Sequence, residues 1–506
     1  TPLGDPIEAE ALGEVFGSGR PADRPLIVGS VKTNLAHLEA AAGIAGLIKM
    51  VLALQHDTIP PLLHQDAPNP RLDWRGLPVE LPRRPRSWPR HGRQRVAGIS
   101  AFGLTGTIAH LVLGDPPTAQ PAVDPAAAEP DLHVLPLSAR SPTALKALQA
   151  RHQRALELPE ISLPDYCFTA GVGRKPQPYR LAVTGRDMRS LQTALAEAVP
   201  VLAESRPRLA FLFTGQGAHW RGMGAALLTR EPVFRATVER CAAALAQEPA
   251  FRHRSLLDLL GPDGEELDNT ALAQPSLFAL QAGLVALWKS WGVVPDIVLG
   301  HSAGEIAAAV AAGLIGIEDG VRFAARRGAA MADMPTGAMA AVFSPASEVA
   351  AAIAAQQLPL SIAACNGPNE TVVSGDATAI AALADSGPKT KALAVTYAFH
   401  SAHVDPVLER IAIAAGFLAQ RPAERTLLCN LDGLTLAPGQ RLPRDYWSRQ
   451  ARAPVAFDRA LAALAAAAPT ACIEIGPRPT LLPLVRRSGG GLAGIPCLPS
   501  LRADDT

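Results

Sequence analysis

Gly300-His301-Ser302-Ala303-Gly304 sets one serine between two glycines, directly after the apolar run Ile297-Val298-Leu299. An Ala-rich stretch with helical patterning, Ile306 to Leu314, follows at once. Strand, sharp turn, then helix is the order of a nucleophile elbow, which exposes a serine hydroxyl beside free backbone N–H groups at a helix N-terminus. Acyl transfer needs both features, a nucleophile and donors for the charge that develops on the attacked carbonyl. The glycines fit because the turn is strained and the flanking chains pass too close for a Cβ. The competing reading is an ordinary Gly-Ser loop, which the strand before and the helix after make less economical.

A serine nucleophile needs a base, and elbow enzymes carry their histidine later in the chain. Downstream of Ser302 there are two, His400 and His403. His400 ends the apolar run Ala392 to Phe399, as a residue at a strand end would, whereas His403 lies in the polar turn Ser401-Ala402-His403 and reads as a solvated loop residue. His400 is therefore the expected base. No Asp or Glu stands out as its orienting partner, which points to a Ser-His dyad whose imidazole is held by a backbone carbonyl.

From about Arg206 to Val485 the chain resembles the malonyl-CoA:acyl carrier protein acyltransferase domain of type I polyketide synthases. The resemblance rests on motifs in matching order. Phe213-Thr214-Gly215-Gln216-Gly217-Ala218-His219-Trp220 opens it, Gln274-Pro275 begins the helix leading to the elbow, and Gly300 to Glu305 is the elbow. Arg327 stands 25 residues past the serine, where the family keeps its arginine. Asn366-Gly367-Pro368, Val372-Val373-Ser374-Gly375, Tyr397-Ala398-Phe399-His400, Tyr446-Trp447 through Gln450 to Pro454, and Ile473-Glu474-Ile475-Gly476-Pro477 complete it.

The resemblance implies a division of labour. Ser302 attacks the thioester of an acyl-CoA while His400 takes its proton and later returns one to the leaving thiolate. The backbone N–H groups of Gln216 and Ala303 form the oxyanion hole, each donor worth about 3 kcal/mol. Arg327 clamps a free carboxylate on the acyl group, a bidentate task that lysine cannot reproduce. Gln274 and Asn366 line the pocket, and the carbonyl of Gln450 holds the histidine. The partners implied are an acyl-CoA and the phosphopantetheine thiol of an acyl carrier protein, with no tightly bound cofactor and no metal.

In this family a histidine motif ending Ala-Phe-His accompanies malonyl, and one ending Ala-Ser-His accompanies methylmalonyl. Phe399 fills the volume an α-methyl needs, so malonyl is expected, although one methyl discriminates by only about 1–3 kcal/mol. Tyr397 belongs to the methylmalonyl pattern, and Ala303 is smaller than the residue usual after the serine. Methylmalonyl or another substituted malonyl is the alternative substrate. A serine hydrolase or editing thioesterase, and a non-catalytic scaffold fragment, are the alternative functions. Arg327 argues against the hydrolase, and the joint presence of Ser302, His400, Gln216 and Arg327 argues against decay.

Thr1 to about Asp115 carries a second resemblance, to the C-terminal part of a β-ketoacyl synthase of the thiolase fold. It rests on Thr1-Pro2-Leu3-Gly4-Asp5-Pro6-Ile7-Glu8, Gly29-Ser30-Val31-Lys32-Thr33-Asn34, His37 with Ala42-Gly43, and Ala101-Phe102-Gly103 to His110. Lys32 and His37 match residues that assist condensation, but none of the six cysteines (Cys167, Cys241, Cys365, Cys429, Cys472, Cys497) lies in the family's nucleophile motif. This segment is therefore expected to be inactive here, with Lys32 and His37 at a capped helix start and His37 partly buried. Ala36 stands where that family has glycine, and Ile108 where it has asparagine. The rest of the synthase, including the other ketosynthase half, is an implied partner, and the parent enzyme is expected to dimerise through that domain.

The elements that must position these groups follow from pattern. Strands at Leu209–Phe213, Ile297–Leu299 and Cys472–Ile475 alternate with helical stretches, implying a parallel sheet covered on both faces, an α/β-hydrolase-like core. A ferredoxin-like insert is expected at about 337–399, with strands near Ala340–Phe343, Thr371–Ser374 and Ala392–Thr396 between two helices. The fold class is thus α/β. A partial thiolase-fold segment spans 1–115 and an α/β linker 116–205, the latter with a Pro/Ala-rich boundary at Pro116–Pro130, strands at Leu132–Leu137 and Tyr179–Thr184, and helices at Pro142–Leu156 and Met188–Ala198. The acyltransferase spans 206–485, and 486–506 begins a further linker. A total of 506 residues with 47 basic and 46 acidic side chains leaves a net charge of +1, no electrostatic case for nucleic acid or a membrane surface. No apolar run of transmembrane length, no signal peptide and scattered cysteines fit a cytoplasmic protein, and the missing initiator Met fits a piece of a longer polypeptide.

Overall fold

The computed structural model describes residues 4–17, 19–21, 23–67, 69–90, 94–103, 106–116, 132–158, 162–203, 206–262, 264, 267–385 and 387–503. The expected boundary loop 116–130 lies almost wholly outside the described residues, as do Thr1 to Leu3 and part of the 101–110 motif. The chain divides into two compact units, the first from residues up to 137 with 149–175 and 182–198, the second from 138–148, 176–181 and 199 onward. The linker 116–205, expected as one body, is thus shared between the two units.

In the first unit, helices Gly4–Gly17 and Ala42–Gln55 accompany an antiparallel hairpin of Val96–Phe102 and Ile108–Gly114. Arg95 anchors it: its guanidinium meets Asp115 at 2.6 Å and Asp57 at 2.6 Å, and donates to the Trp88 carbonyl. Lys32 opens a single turn, Lys32–Leu35, and Ala36 adopts φ 62° and ψ −170°, a conformation natural only to glycine. The alanine that replaces the family's glycine therefore sits where the glycine was needed. His37, expected to be partly buried, is exposed, and its Nδ1 accepts from the Glu39 N–H at 3.0 Å.

The linker elements lie close to their expected places, at His133–Ala139, Pro142–Ala155, Tyr179–Gly185 and Met188–Glu197. Ser141 caps the first helix by accepting from the Ala144 N–H at 3.1 Å. The helix Leu163–Val172 was not expected. Its Pro164 reads as a breaker, but at N1/N2 its missing N–H costs nothing because a donor there would have no intrahelical partner.

The second unit is built on a six-stranded sheet. Its strands in chain order are β1 (Leu209–Phe213), β2 (Ile297–Gly300), β7 (Thr426–Leu428), β8 (Thr435–Leu436), β9 (Ala471–Ile475) and β10 (Cys497–Pro499). β3 (Ala338–Val342), β4 (Leu360–Gly367), β5 (Glu370–Gly375) and β6 (Thr390–Ala392) form a separate four-stranded sheet. The large sheet runs β8-β7-β2-β1-β9-β10, parallel throughout except for the edge pair β7–β8. β2 is buried along its whole length, and β1 and β9 at every residue but their first, as parallel strands covered on both faces must be. β10 pairs with β9 from Cys472↔Cys497 to Glu474↔Pro499, so the run beyond 485 completes this sheet and is no linker.

The four-stranded sheet is antiparallel in order β4-β5-β3-β6, with helices Ala346–Ala355 and Ala377–Asp385 as crossovers, the ferredoxin-like arrangement. Its last strand ends at Ala392, not Thr396, and the approach to His400 is irregular apart from one bridge between Thr336 and Tyr397. Among the described residues one helix, Thr270–Ser290, is long and apolar enough to cross a membrane, against expectation, and 94% of its apolar window is buried inside the protein. It begins four residues before Gln274, because Asn269 caps it by accepting from the Ala271 N–H at 3.0 Å, and Pro275 sits inside it.

Candidate active site

β2 delivers the chain to Ser302, and helix Gly304–Ala311 carries it away. Ser302 holds φ 50°, a left-handed conformation that costs a non-glycine residue about 1–2 kcal/mol. The two flanking glycines make that turn possible. A Cβ on Gly300 would lie 2.3 Å from the Glu305 backbone, and one on Gly304 would lie 2.4 Å from the Phe213 and Thr214 carbonyl oxygens. The Gly215 Cα also passes close, since a Cβ there would lie 2.8 Å from the His301 carbonyl. The Gln216 loop is thereby seated against the elbow.

His400 is buried and likewise strained, at φ 55°. Its Nε2 lies 2.7 Å from Ser302 Oγ, and its Nδ1 lies 2.9 Å from the Ala453 carbonyl. A carbonyl only accepts, so the proton belongs on Nδ1, and Nε2 turns its lone pair toward the serine hydroxyl. The expected holder was the Gln450 carbonyl. That carbonyl bonds the ring, but the stronger acceptor is Ala453, one helical turn on, where helix Tyr446–Arg452 has ended and its carbonyl points free. Burial, and next the charge of Arg327, lower the His400 pKa from 6.5 to about 3, which keeps the imidazole neutral and able to accept a proton. His403, the other histidine, is half-buried, with Nε2 3.3 Å from Asp376, rather than solvated.

Arg327 differs from its neighbours Arg322 and Arg326 on helix Ile317–Ala332. Arg326 pairs with Glu248 at 2.8 Å near the surface, whereas Arg327 is 2% exposed. Its Nη1 donates to Gln274 Oε1 at 2.7 Å, and its Nε has no partner. A buried guanidinium with an unmet donor and no carboxylate bonded to it among the described residues has the chemistry to take an anion. Desolvation brings its pKa down to about 10, so it stays charged.

The remaining expected residues take definite places. Gln216 Oε1 accepts from Thr270 Oγ1 at 2.8 Å and from Gln274 Nε2 at 3.3 Å. Ala303 is the N-cap residue of the elbow helix, among the backbone donors that have no intrahelical acceptor. Asn366, at the end of β4, meets His301 Nε2 at 2.9 Å and so ties the small sheet to the elbow. Tyr397 donates its hydroxyl to the Ala332 carbonyl at 3.0 Å, and its ring stands 6.0 Å from that of Phe399. Lys32 and His37 belong to the first unit.

Sequence reasoning missed Thr270, Ala453, Asn430 and Glu305. The last carried a signal: it is the lone charge in the apolar helix Gly304–Ala311, so its burial demanded partners.

A neutral histidine on a strained serine, beside a buried arginine, suits transfer of a charged acyl group. Residues 210–502 match the family described as acyl transferase domain. The chain belongs to the acyltransferase family.

The acyltransferase is joined to segments matching the beta-ketoacyl synthase C-terminal domain over residues 1–66 and the CurL-like PKS C-terminal family over 133–195. It is 40% identical, over 95% of its length, to polyketide synthase GfsB of Streptomyces halstedii, of which it spans only 9%. Among solved structures it is similar to the acyltransferase domain from module 8 of the salinomycin polyketide synthase, at 30% identity and TM-score 0.66 over 75% of this chain and 93% of that one. The acyl transferase domain of SpnD in complex with 2-(pent-4-yn-1-yl)malonyl matches at 30% identity and TM-score 0.67 over 74% and 92%. The acyltransferase is therefore part of a type I polyketide synthase, with the C-terminal piece of a ketosynthase before it. The family match runs to 502, in line with β10 as the last strand of its sheet.

Proposed function

We propose that the acyltransferase takes a malonyl group from malonyl-CoA onto Ser302 and passes it to the phosphopantetheine thiol of an acyl carrier protein. The observation that carries this reading is Arg327, buried, charged and with Nε unpartnered in the domain that holds Ser302 and His400. An acyl group bearing a free carboxylate would satisfy it.

Ser302 Oγ attacks the thioester carbonyl as His400 Nε2 takes its proton, the C–S bond breaks, and the imidazolium returns the proton to the CoA thiolate. The Ala453 carbonyl accepting from Nδ1 steadies the imidazolium as it forms. The Gln216 and Ala303 N–H groups receive the oxyanion. The carrier thiol then repeats the steps in reverse, and a site kept dry protects the ester from hydrolysis until it arrives.

Malonyl is preferred over methylmalonyl because Phe399, 9% exposed, stands directly before His400. Tyr397 and the small Ala303 favour a larger substituent, and SpnD is described with a substituted malonyl group. Methylmalonyl is thus the second reading. The ketosynthase segment performs no condensation in this chain, since Lys32 and His37 are exposed without a nucleophilic cysteine from their motif. Acylation of wild type and Ser302→Ala with malonyl-CoA, read by intact mass, tests the function: an adduct on wild type alone supports it, and an adduct on both removes Ser302 from it.

A further inference from the structure

Beneath the elbow lies a carboxylate that the reaction above does not use. Glu305 is fully buried, and three donors converge on it. Its Oε1 accepts from the Asn430 N–H at 3.0 Å and from the Tyr446 hydroxyl at 2.6 Å, and its Oε2 accepts from Gln450 Nε2 at 3.2 Å. Two of these donor residues also reach the elbow. Asn430 Nδ2 donates to the Gly300 carbonyl at 2.7 Å, and Gln450 Nε2 donates to the Ser302 carbonyl at 2.9 Å. Glu305 touches the same peptide directly, its own N–H lying 3.1 Å from the Ser302 carbonyl.

The orientation of Gln450 is the informative detail. Its amide could face the elbow with either end, and only the NH2 end can bond both the Ser302 carbonyl and a carboxylate. It does so although its Oε1 is left buried without a partner. The carboxylate form of Glu305, which only accepts, and the Ser302 carbonyl hold the NH2 end between them, so the two acceptors together decide which way that amide points. We propose that Glu305 is a positioning residue: by fixing Gln450 it keeps an N–H on the Ser302 carbonyl, and so holds the left-handed turn that aims Oγ at His400. This rests on Ser302 being the nucleophile. Glu305 touches no reacting atom, and a neutral glutamine in its place offers an NH2 of its own, which allows Gln450 to turn over and release the elbow.

The test is single-turnover acylation by malonyl-CoA for wild type, Glu305→Gln, Gln450→Leu and the double variant, with thermal unfolding to verify folding. The expected result is a rate constant lower by about 10²-fold in each single variant, as for a small misplacement of reacting atoms. The half-saturating malonyl-CoA concentration stays within about threefold, and the double variant is no slower than Gln450→Leu alone. An unchanged rate constant in folded Glu305→Gln, or multiplied losses in the double variant, overturns the proposal. Should Glu305→Gln not fold, Gln450→Leu decides alone, because wild-type speed there removes the route through which Glu305 acts. The same variants are labelled with a fluorophosphonate, which needs only an aligned serine. A wild type that labels but ignores malonyl-CoA overturns the substrate reading, and Glu305 is then judged by labelling rate. A wild type inert to both overturns the two together.

Discussion

Ser302 and His400, 98 residues apart in the chain, both adopt the left-handed backbone conformation and meet at 2.7 Å between Oγ and Nε2. Neither residue would choose φ near 50°, so the surrounding packing must hold both, and the two strained turns exist to bring one pair of atoms together.

Gly304→Ala should therefore remove activity through the fold. Its Cβ would meet two carbonyl oxygens at 2.4 Å, backbone atoms of β1 and the residue after it that cannot move without disturbing the sheet. A loss of about 3 kcal/mol or more is expected, read as a fall in the denaturant midpoint. An unchanged midpoint would mean the elbow is looser than its packing indicates.

Arg327→Ala should relax the requirement for a carboxylate. Losing a buried, charge-assisted contact is expected to lower kcat/KM for malonyl-CoA by about 10²-fold, while acetyl-CoA, which has no carboxylate, loses nothing. Equal losses for both thioesters would assign Arg327 to the scaffold.

Phe399→Ser should admit methylmalonyl-CoA. Opening space for one methyl is expected to change the malonyl-to-methylmalonyl preference by about 10-fold or more in a competition assay. An unchanged ratio would place the discrimination elsewhere, with Tyr397 and Ala303 next in line.

How stability depends on pH should reveal two opposed groups. His400 has a folded pKa of about 3 against 6.5 unfolded, so between those values the unfolded chain binds more protons and acid destabilises the fold through it. Glu305 is the reverse, raised by burial from 4.5 to about 7 despite its three hydrogen bonds, so through it stability grows as pH falls across that range. His400→Gln should gain melting temperature relative to wild type as pH drops from about 6 to 4, and Glu305→Gln should lose relative to wild type over the same interval. Parallel curves for all three proteins would contradict this electrostatic account.

Much of the site was legible because its chemistry is local. The elbow needs glycines at 300 and 304, a strand before and a helix after, and all of these are contiguous. Arg327 was readable only through the family pattern, since three arginines lie within six residues of its helix and only burial and the tertiary contact with Gln274 distinguish it. The Gln450 carbonyl expected to hold the histidine does bond it, but Ala453 three residues on holds it first, because which carbonyl points free depends on where a helix ends. The approach to His400 was expected as a strand from its apolar run, but those residues are irregular and bury Ala398 and Phe399 by tertiary packing. β10 was mistaken for linker because a three-residue edge strand at the end of a chain carries little periodicity.

The most direct test of the central claim is the intact mass of the protein after mixing with equal malonyl-CoA and methylmalonyl-CoA, beside Ser302→Ala, followed by addition of a carrier-protein thiol. The account predicts a malonyl adduct on wild type alone that moves to the thiol. A methylmalonyl adduct would contradict the assigned extender unit, and free acid accumulating with no adduct and no transfer would contradict the acyltransferase mechanism.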